Sequence, residues 1–132
     1  MLDASVAFKW FSDEDEPHSA AARSLEAQYR RSELLVTVPH LFFLELINIV
    51  ARRRAWSVER LTELGRVLGA AQFGIAQPPL ERVAYWAGRG LTAYDACYVA
   101  LAEARRTVVI TADERILALA GDLAEPLGGA PA

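Results

Sequence analysis

Four acidic residues, Asp3, Glu45, Asp95 and Asp113, stand where a carboxylate has chemistry open to it. Glu45 is the least expected. It interrupts PHLFFLELINIVARRR, a stretch apolar almost throughout from Leu41 to Val50. A helix of that kind is buried on more than one side, and a lone carboxylate inside it costs several kcal/mol unless it is paired or coordinates a metal. Asn48 lies three residues on and shares its face. An ion pair with an arginine such as Arg52 is one way to satisfy Glu45. A metal ion is the reading favoured here, because Asn48 offers a second oxygen beside it.

Asp95 lies in LTAYDACYVALAE, where Thr92 and Asp95 have the spacing of a capping box. A capped helix start needs no further purpose. The neighbours, however, are nearly all apolar or aromatic, so Asp95 is expected to be half-buried where it can both cap and face a ligand. Asp3 follows the first predicted strand, and Asp113 follows TVVIT after one residue. Either aspartate alone reads well as an N-cap. Together they fall beyond the carboxyl ends of strands, where open α/β sheets bind ligands.

Four carboxylates without a suitable histidine set point to a hard cation, Mg²⁺ or Mn²⁺, which prefers oxygen ligands where Zn²⁺ prefers His and Cys. His18 and His40 lack zinc-motif spacing. Cys97, the one cysteine, reads as a small core residue. No internal disulfide can form, which suits a reducing, cytoplasmic setting.

The elements that must position these acids alternate. Short strands are predicted at Met1–Ala4, Leu34–Val38, Phe73–Ala76, Thr107–Thr111 and Glu125–Leu127. Helices are predicted at Ser5–Phe11, Pro17–Arg31, from Pro39 to Arg54, after the Ser57 cap, over Pro78–Gly88, from Thr92 to Arg106 and over Asp113–Ala120. Such alternation predicts an α/β fold with a parallel sheet covered by helices on both faces. At 132 residues the chain is expected to form a single domain, residues 1–132.

Composition narrows the class. The chain is 53% hydrophobic and 23% charged, which excludes a disordered chain. No apolar run approaches the about 18 residues of a membrane span. MLDASVAFKWFSDEDE turns acidic at once and does not read as a secretory signal. The net charge is −3, so any nucleic acid must meet a local basic patch. Lys9, the only lysine, is a candidate phosphate contact, with a solvated helix lysine as the plain alternative. The runs at Arg52–Arg54 and Arg105–Arg106 read as ordinary partners of helix C-termini.

DASVAFKWF, PHLFFLELINIV, LTAYDACYVALAE and VVITADERILA together resemble the ordered motifs of PIN-domain nucleases, and most closely those of VapC-type toxins. The resemblance covers nearly the whole chain. It implies a three-layer α/β/α sandwich with a central parallel sheet of about five strands. It also implies an acidic pocket for Mg²⁺ or Mn²⁺ and an endoribonuclease activity. Asp3, Glu45, Asp95 and Asp113 match the family's acidic positions, Asn48 its E-x-x-N asparagine, Thr111 its T-x-D threonine and Ser5 the serine of D-x-S. The implied partners are RNA, a VapB-like antitoxin and a second copy of the chain in a homodimer. Two departures stand out. Only Met1 and Leu2 precede Asp3, which means a very short first strand or a late start to the chain, and EPLGGAPA is a poor last strand.

Other functions fit less well. An aspartyl-phosphate phosphatase or transferase, with Asp3 as nucleophile, would want an aspartate where Ser5 stands and a lysine late in the chain. A receiver-like signalling module would want the same lysine. A catalytically inactive PIN fold kept for binding would not need all four acids.

Overall fold

A computed structural model describes residues 4–11, 19–32 and 35–128. In chain order the elements are α1 (Ala4–Phe11), α2 (Ser19–Arg30), β1 (Thr37–Val38), α3 (Leu41–Arg52), α4 (Val58–Ala70), β2 (Gly74–Ile75), α5 (Leu80–Gly88), α6 (Ala93–Arg105), β3 (Val109–Thr111), α7 (Glu114–Ala120), a 3-10 turn at Gly121–Leu123, and β4 (Ala124–Pro126). The α/β alternation expected from the sequence is present, and the strands pair in parallel.

The sheet is shorter than expected. Among the described residues it consists of two parallel pairs, β1 with β2 and β3 with β4. Residues 1–3, which carry most of the first predicted strand, lie outside the described residues, and Ala4 already opens α1. The run predicted as Leu34–Val38 pairs only at Thr37 and Val38. Leu35 is 89% exposed, and Pro39, which has no N–H to donate, follows Val38. Gly74, the first residue of β2, faces the Thr37 side chain of β1. A Cβ on it would lie 3.2 Å from Thr37 Oγ1.

Helix α3 buries Phe42, Leu46 and Val50, a stripe repeating every four residues. Phe42 meets Phe43 and Phe73 edge to face, and Phe73 meets Tyr29 of α2, which stacks on Trp10 of α1. This aromatic cluster ties α1, α2 and α3 together. Helix α6 is buried on all sides from Tyr98 to Ala102. It packs on α5, α7 and β3, and α1 packs on β3 as well. The caps follow the sequence: Ser57 Oγ accepts from Arg60 N–H at 3.2 Å and Thr92 Oγ1 from Asp95 N–H at 3.0 Å.

A two-pronged ion pair pins α5 to α6. Arg82 Nε donates to Glu103 Oε1 at 2.7 Å and Nη2 to Oε2 at 2.9 Å. The hydrogen bonds from Arg82 hold the Glu103 carboxyl below its usual range. A depressed acid contributes stability that is present above its unfolded value and lost as pH falls through the folded one. Both side chains are about one-third exposed, so solvent screening keeps the effect small. Urea midpoints measured from neutral pH into the acid limb should therefore fall slightly less steeply in Glu103→Gln than in the parent. Equal slopes would show that the pair contributes nothing.

Candidate active site

Glu45 sits mid-way along α3, Asp95 in the first turn of α6, and Asp113 at the N-cap of α7. All three line one cleft of about 320 Å³, together with Asn48, Arg52 and Arg53. The cleft opens beyond the carboxyl end of β3, the side on which sheets of this type hold ligands. Ala4, the first described residue after Asp3, lines it too.

Each acid is fixed by its own local device. Thr111 ends β3 and is fully buried. Its Oγ1 accepts from Asp113 N–H at 2.9 Å, which sets the backbone of the aspartate. Asp113 Oδ1 accepts from Arg115 N–H at 2.8 Å and Ile116 N–H at 3.2 Å. Asp113 is thus a true helix cap through one carboxyl oxygen while its side chain lines the cleft. Capping the helix does not remove Asp113 from the cleft.

Asp95 is half-buried, as expected from its apolar neighbours. Burial pushes its carboxyl above the usual aspartate range, and the nearby Asp113 charge pushes the same way. A hydrogen bond with Thr92 and the positive charge of Arg115 partly oppose the shift. The two aspartates therefore repel each other across the cleft.

Glu45 is held by a residue that the sequence reading passed over. The Tyr98 hydroxyl donates to Glu45 Oε1 at 2.7 Å, from a side chain only 1% exposed. Tyr98 stood in an apolar run and read as core. The signal available was its position three residues after Asp95, one helical turn on, which matches the Glu45–Asn48 spacing. Helix α6 thus supplies both an acid and the hydroxyl that orients another acid. Arg52 and Arg53 were also underread: assigned to the helix C-terminus, they line the cleft.

The remaining candidates are placed as follows. Lys9 on α1 is half-buried. Burial pushes its ammonium below the usual lysine range, and the positive charge of Arg54 adds to this. It is not among the residues lining the cleft. Ser5 belongs to α1, but its side chain lies outside the described residues, as do Asp3 and His18. His40 packs edge to face against Phe43, with ring centroids 6.4 Å apart. Burial, with Glu45 adding, pushes the Cys97 thiol up, which fits the core role expected of it.

The donors at the cleft are all oxygens, from Glu45, Asn48, Asp95 and Asp113, a set that suits Mg²⁺ or Mn²⁺ and not Zn²⁺. Among the described residues, no three acids, histidines or cysteines are gathered closely enough to hold an ion by themselves.

The PIN domain family profile matches residues 1–122. The chain belongs to the PIN-domain family. All four acids of the sequence reading fall inside the matched span. The crystal structure of PAE2754 from Pyrobaculum aerophilum is similar to this PIN domain, with a TM-score of 0.65 and 28% sequence identity over 96% of this chain and 89% of that one. No curated protein matches the chain. The PIN fold is one on which nucleases are built, typically metal-dependent ones, so the carboxylate cleft lies on a fold suited to phosphodiester chemistry.

Proposed function

We propose that this PIN domain is a Mg²⁺- or Mn²⁺-dependent endoribonuclease, with Asp3, Glu45, Asp95 and Asp113 as its catalytic, metal-holding acids. The observation that carries this reading is the convergence of Glu45, Asp95 and Asp113 on one cleft from three helices far apart in sequence, with Arg52 and Arg53 beside them. Asp3 joins the set because its neighbour Ala4 lines that cleft.

Hydrolysis adds water across a P–O bond: the water oxygen bonds to phosphorus, the bond to the leaving ribose oxygen breaks, and that oxygen takes a proton. Bound Mg²⁺ or Mn²⁺ supplies acidified water and offsets the charge on the phosphate. The chain's own residues do the rest. Asp3, Glu45, Asp95 and Asp113 would hold the ion, with Asn48 supporting them. Tyr98 and Thr111 orient Glu45 and Asp113. Arg52 and Arg53 draw the phosphate to a cleft whose acids alone would repel it, in a chain of net charge −3. Ser5 supports the pocket, and Lys9 is the candidate phosphate contact.

Mn²⁺ should raise the melting temperature by binding the native state. At about a hundredfold excess over Kd the gain is about 2.7 kcal/mol, on the order of 10 °C for a chain of this length. Asp95→Asn should remove most of it. A melting temperature indifferent to Mn²⁺ would contradict the metal site.

Within this reading the protein is the toxin of a toxin–antitoxin pair, acting in the cytoplasm. No helix among the described residues is long and apolar enough to cross a membrane. The antitoxin is VapB-like, and its tail places an arginine among the cleft acids, blocking metal and phosphate together. The toxin is a homodimer. Support comes from an apolar groove of about 340 Å³ between α3 and α4, lined by Phe43, Ile47, Leu68 and Ile75, the last 55% exposed. Sedimentation at micromolar concentration should show a dimer, and a monomer throughout would refute it.

A further inference from the structure

A second depression adjoins the acid cleft. It measures about 520 Å³ and is lined by Leu41, Leu44, Glu45, Asn48 and Tyr94. Glu45 and Asn48 belong to both. Its α3 wall is a single helical stripe, Leu41, Leu44, Glu45 and Asn48, apolar toward the N-terminus and polar toward the acids. The opposite wall is Tyr94, in the first turn of α6 and immediately before Asp95. Tyr94 is 65% exposed, so a large aromatic side chain faces solvent beside a charged cleft; Leu44, 62% exposed, lies between this depression and the apolar groove offered above for the dimer, and lines both.

Leaving such surface in water forgoes the gain of covering it. A group that covers it and also reaches the acid cleft would be apolar on its face, against Leu41 and Tyr94, and polar at its edge, against Asn48. An unpaired nucleobase has these properties. Aromatic side chains bind bases by stacking, and they can do so only once the base has left its own stack. A phosphate at the acids would bring the base of the adjoining nucleotide over Tyr94, because the two depressions share an edge.

We propose that Leu41, Leu44 and Tyr94 form a stacking subsite for an unpaired nucleobase next to the phosphate bound at the acid cleft. This rests on the ribonuclease reading and adds to it the place where the base beside the bound phosphate is held. Tyr94 sets binding and specificity and is not a catalytic residue.

The test uses an oligoribonucleotide carrying 2-aminopurine, titrated in Ca²⁺ to measure binding and in Mn²⁺ to measure cleavage. The proteins are wild type, Tyr94→Ala, Tyr94→Phe and Tyr94→Trp, each checked for fold by circular dichroism. Wild type should quench 2-aminopurine and prefer the single strand to its duplex. Tyr94→Ala should bind about tenfold more weakly and lose the quenching, while Phe and Trp keep both. The cleavage loss in Tyr94→Ala should appear in KM more than in kcat. An abasic residue at the quenched position should weaken wild type about as much as Tyr94→Ala does, and should not weaken Tyr94→Ala further. Equal binding by wild type and Tyr94→Ala, or equal binding of single strand and duplex, would overturn the subsite. So would a Tyr94→Ala variant whose only change is the dissociation of a dimer, which would make this face a contact between copies. Quenching that depends on Tyr94 without cleavage in Mn²⁺ would defeat the ribonuclease reading and leave the subsite standing.

Discussion

Asp95→Asn and Glu45→Gln should each lower RNA cleavage on the order of 10²–10⁴-fold, the range in which a single group at a proton-transfer or charge-stabilising position acts. The apo fold should not suffer. Asp95 carries a carboxyl raised by burial and by Asp113. A raised acid contributes stability that is fully present below its unfolded value and lost as pH rises through its folded value. At neutral pH the charged form is therefore a cost, and Asn removes that cost while keeping the shape. Gln at position 45 still offers an oxygen to the Tyr98 hydroxyl. Asp113 separates the two roles further. Asn is as good an N-cap as Asp, whereas Ala costs about 1 kcal/mol. Asp113→Asn should thus lose activity and keep stability, and Asp113→Ala should lose both. The checks are an initial-rate cleavage assay and urea unfolding without metal. A large loss of apo stability in Asp95→Asn and Asp113→Asn would mean that these acids serve the fold alone.

The largest stability effect is expected at Phe42. Its side chain is fully buried on α3 and meets Phe43 at 5.3 Å and Phe73 at 5.8 Å between ring centroids. Phe42→Ala removes the transfer gain and leaves a cavity, costing about 3–5 kcal/mol. Domains of this kind have only about 5–15 kcal/mol in total. The urea midpoint should fall by roughly 2 M. Activity should fall before global unfolding, because the same helix carries Glu45 and Asn48. Leu35→Ser, at a residue 89% exposed, is the matched control and should stay within about 0.5 kcal/mol of the parent. Similar midpoints for the two variants would mean that the aromatic cluster does not hold α3 in place.

The helices were legible because their signals are local. Ser57 and Thr92 are caps in the sequence and in the structure, and the apolar run from Leu41 made α3 plain. The strands were less legible. A strand of two or three residues is defined by its partner, and Leu35, apolar as it is, faces solvent beyond the pairing. The 3-10 turn at Gly121–Leu123 carried no periodic signal and was not expected. At the site, Glu45, Asp95 and Asp113 stood out because a carboxylate in an apolar stretch, or at a strand end, is chemically conspicuous. Tyr98 and Tyr94 did not. An aromatic residue in an apolar run reads as core, and only the tertiary fold shows that one gives its hydroxyl to Glu45 while the other faces solvent. Arg52 and Arg53 were hidden by a sound local explanation, the helix C-terminus.

In the proposed function the carboxylate cleft cuts RNA with a divalent ion. The direct measurement is the initial rate of cleavage of a fluorescent single-stranded oligoribonucleotide by the purified wild-type chain. It is taken in EDTA, then after Mn²⁺ is restored, with Asp95→Asn run in parallel. The expected result is no cleavage in EDTA, full recovery with Mn²⁺, and at least a hundredfold lower rate for the variant, the lower end of the range for a group of this kind. Cleavage that persists in EDTA, or that Asp95→Asn matches, would contradict the account, as would a wild-type chain that binds Mn²⁺ and RNA and cuts nothing.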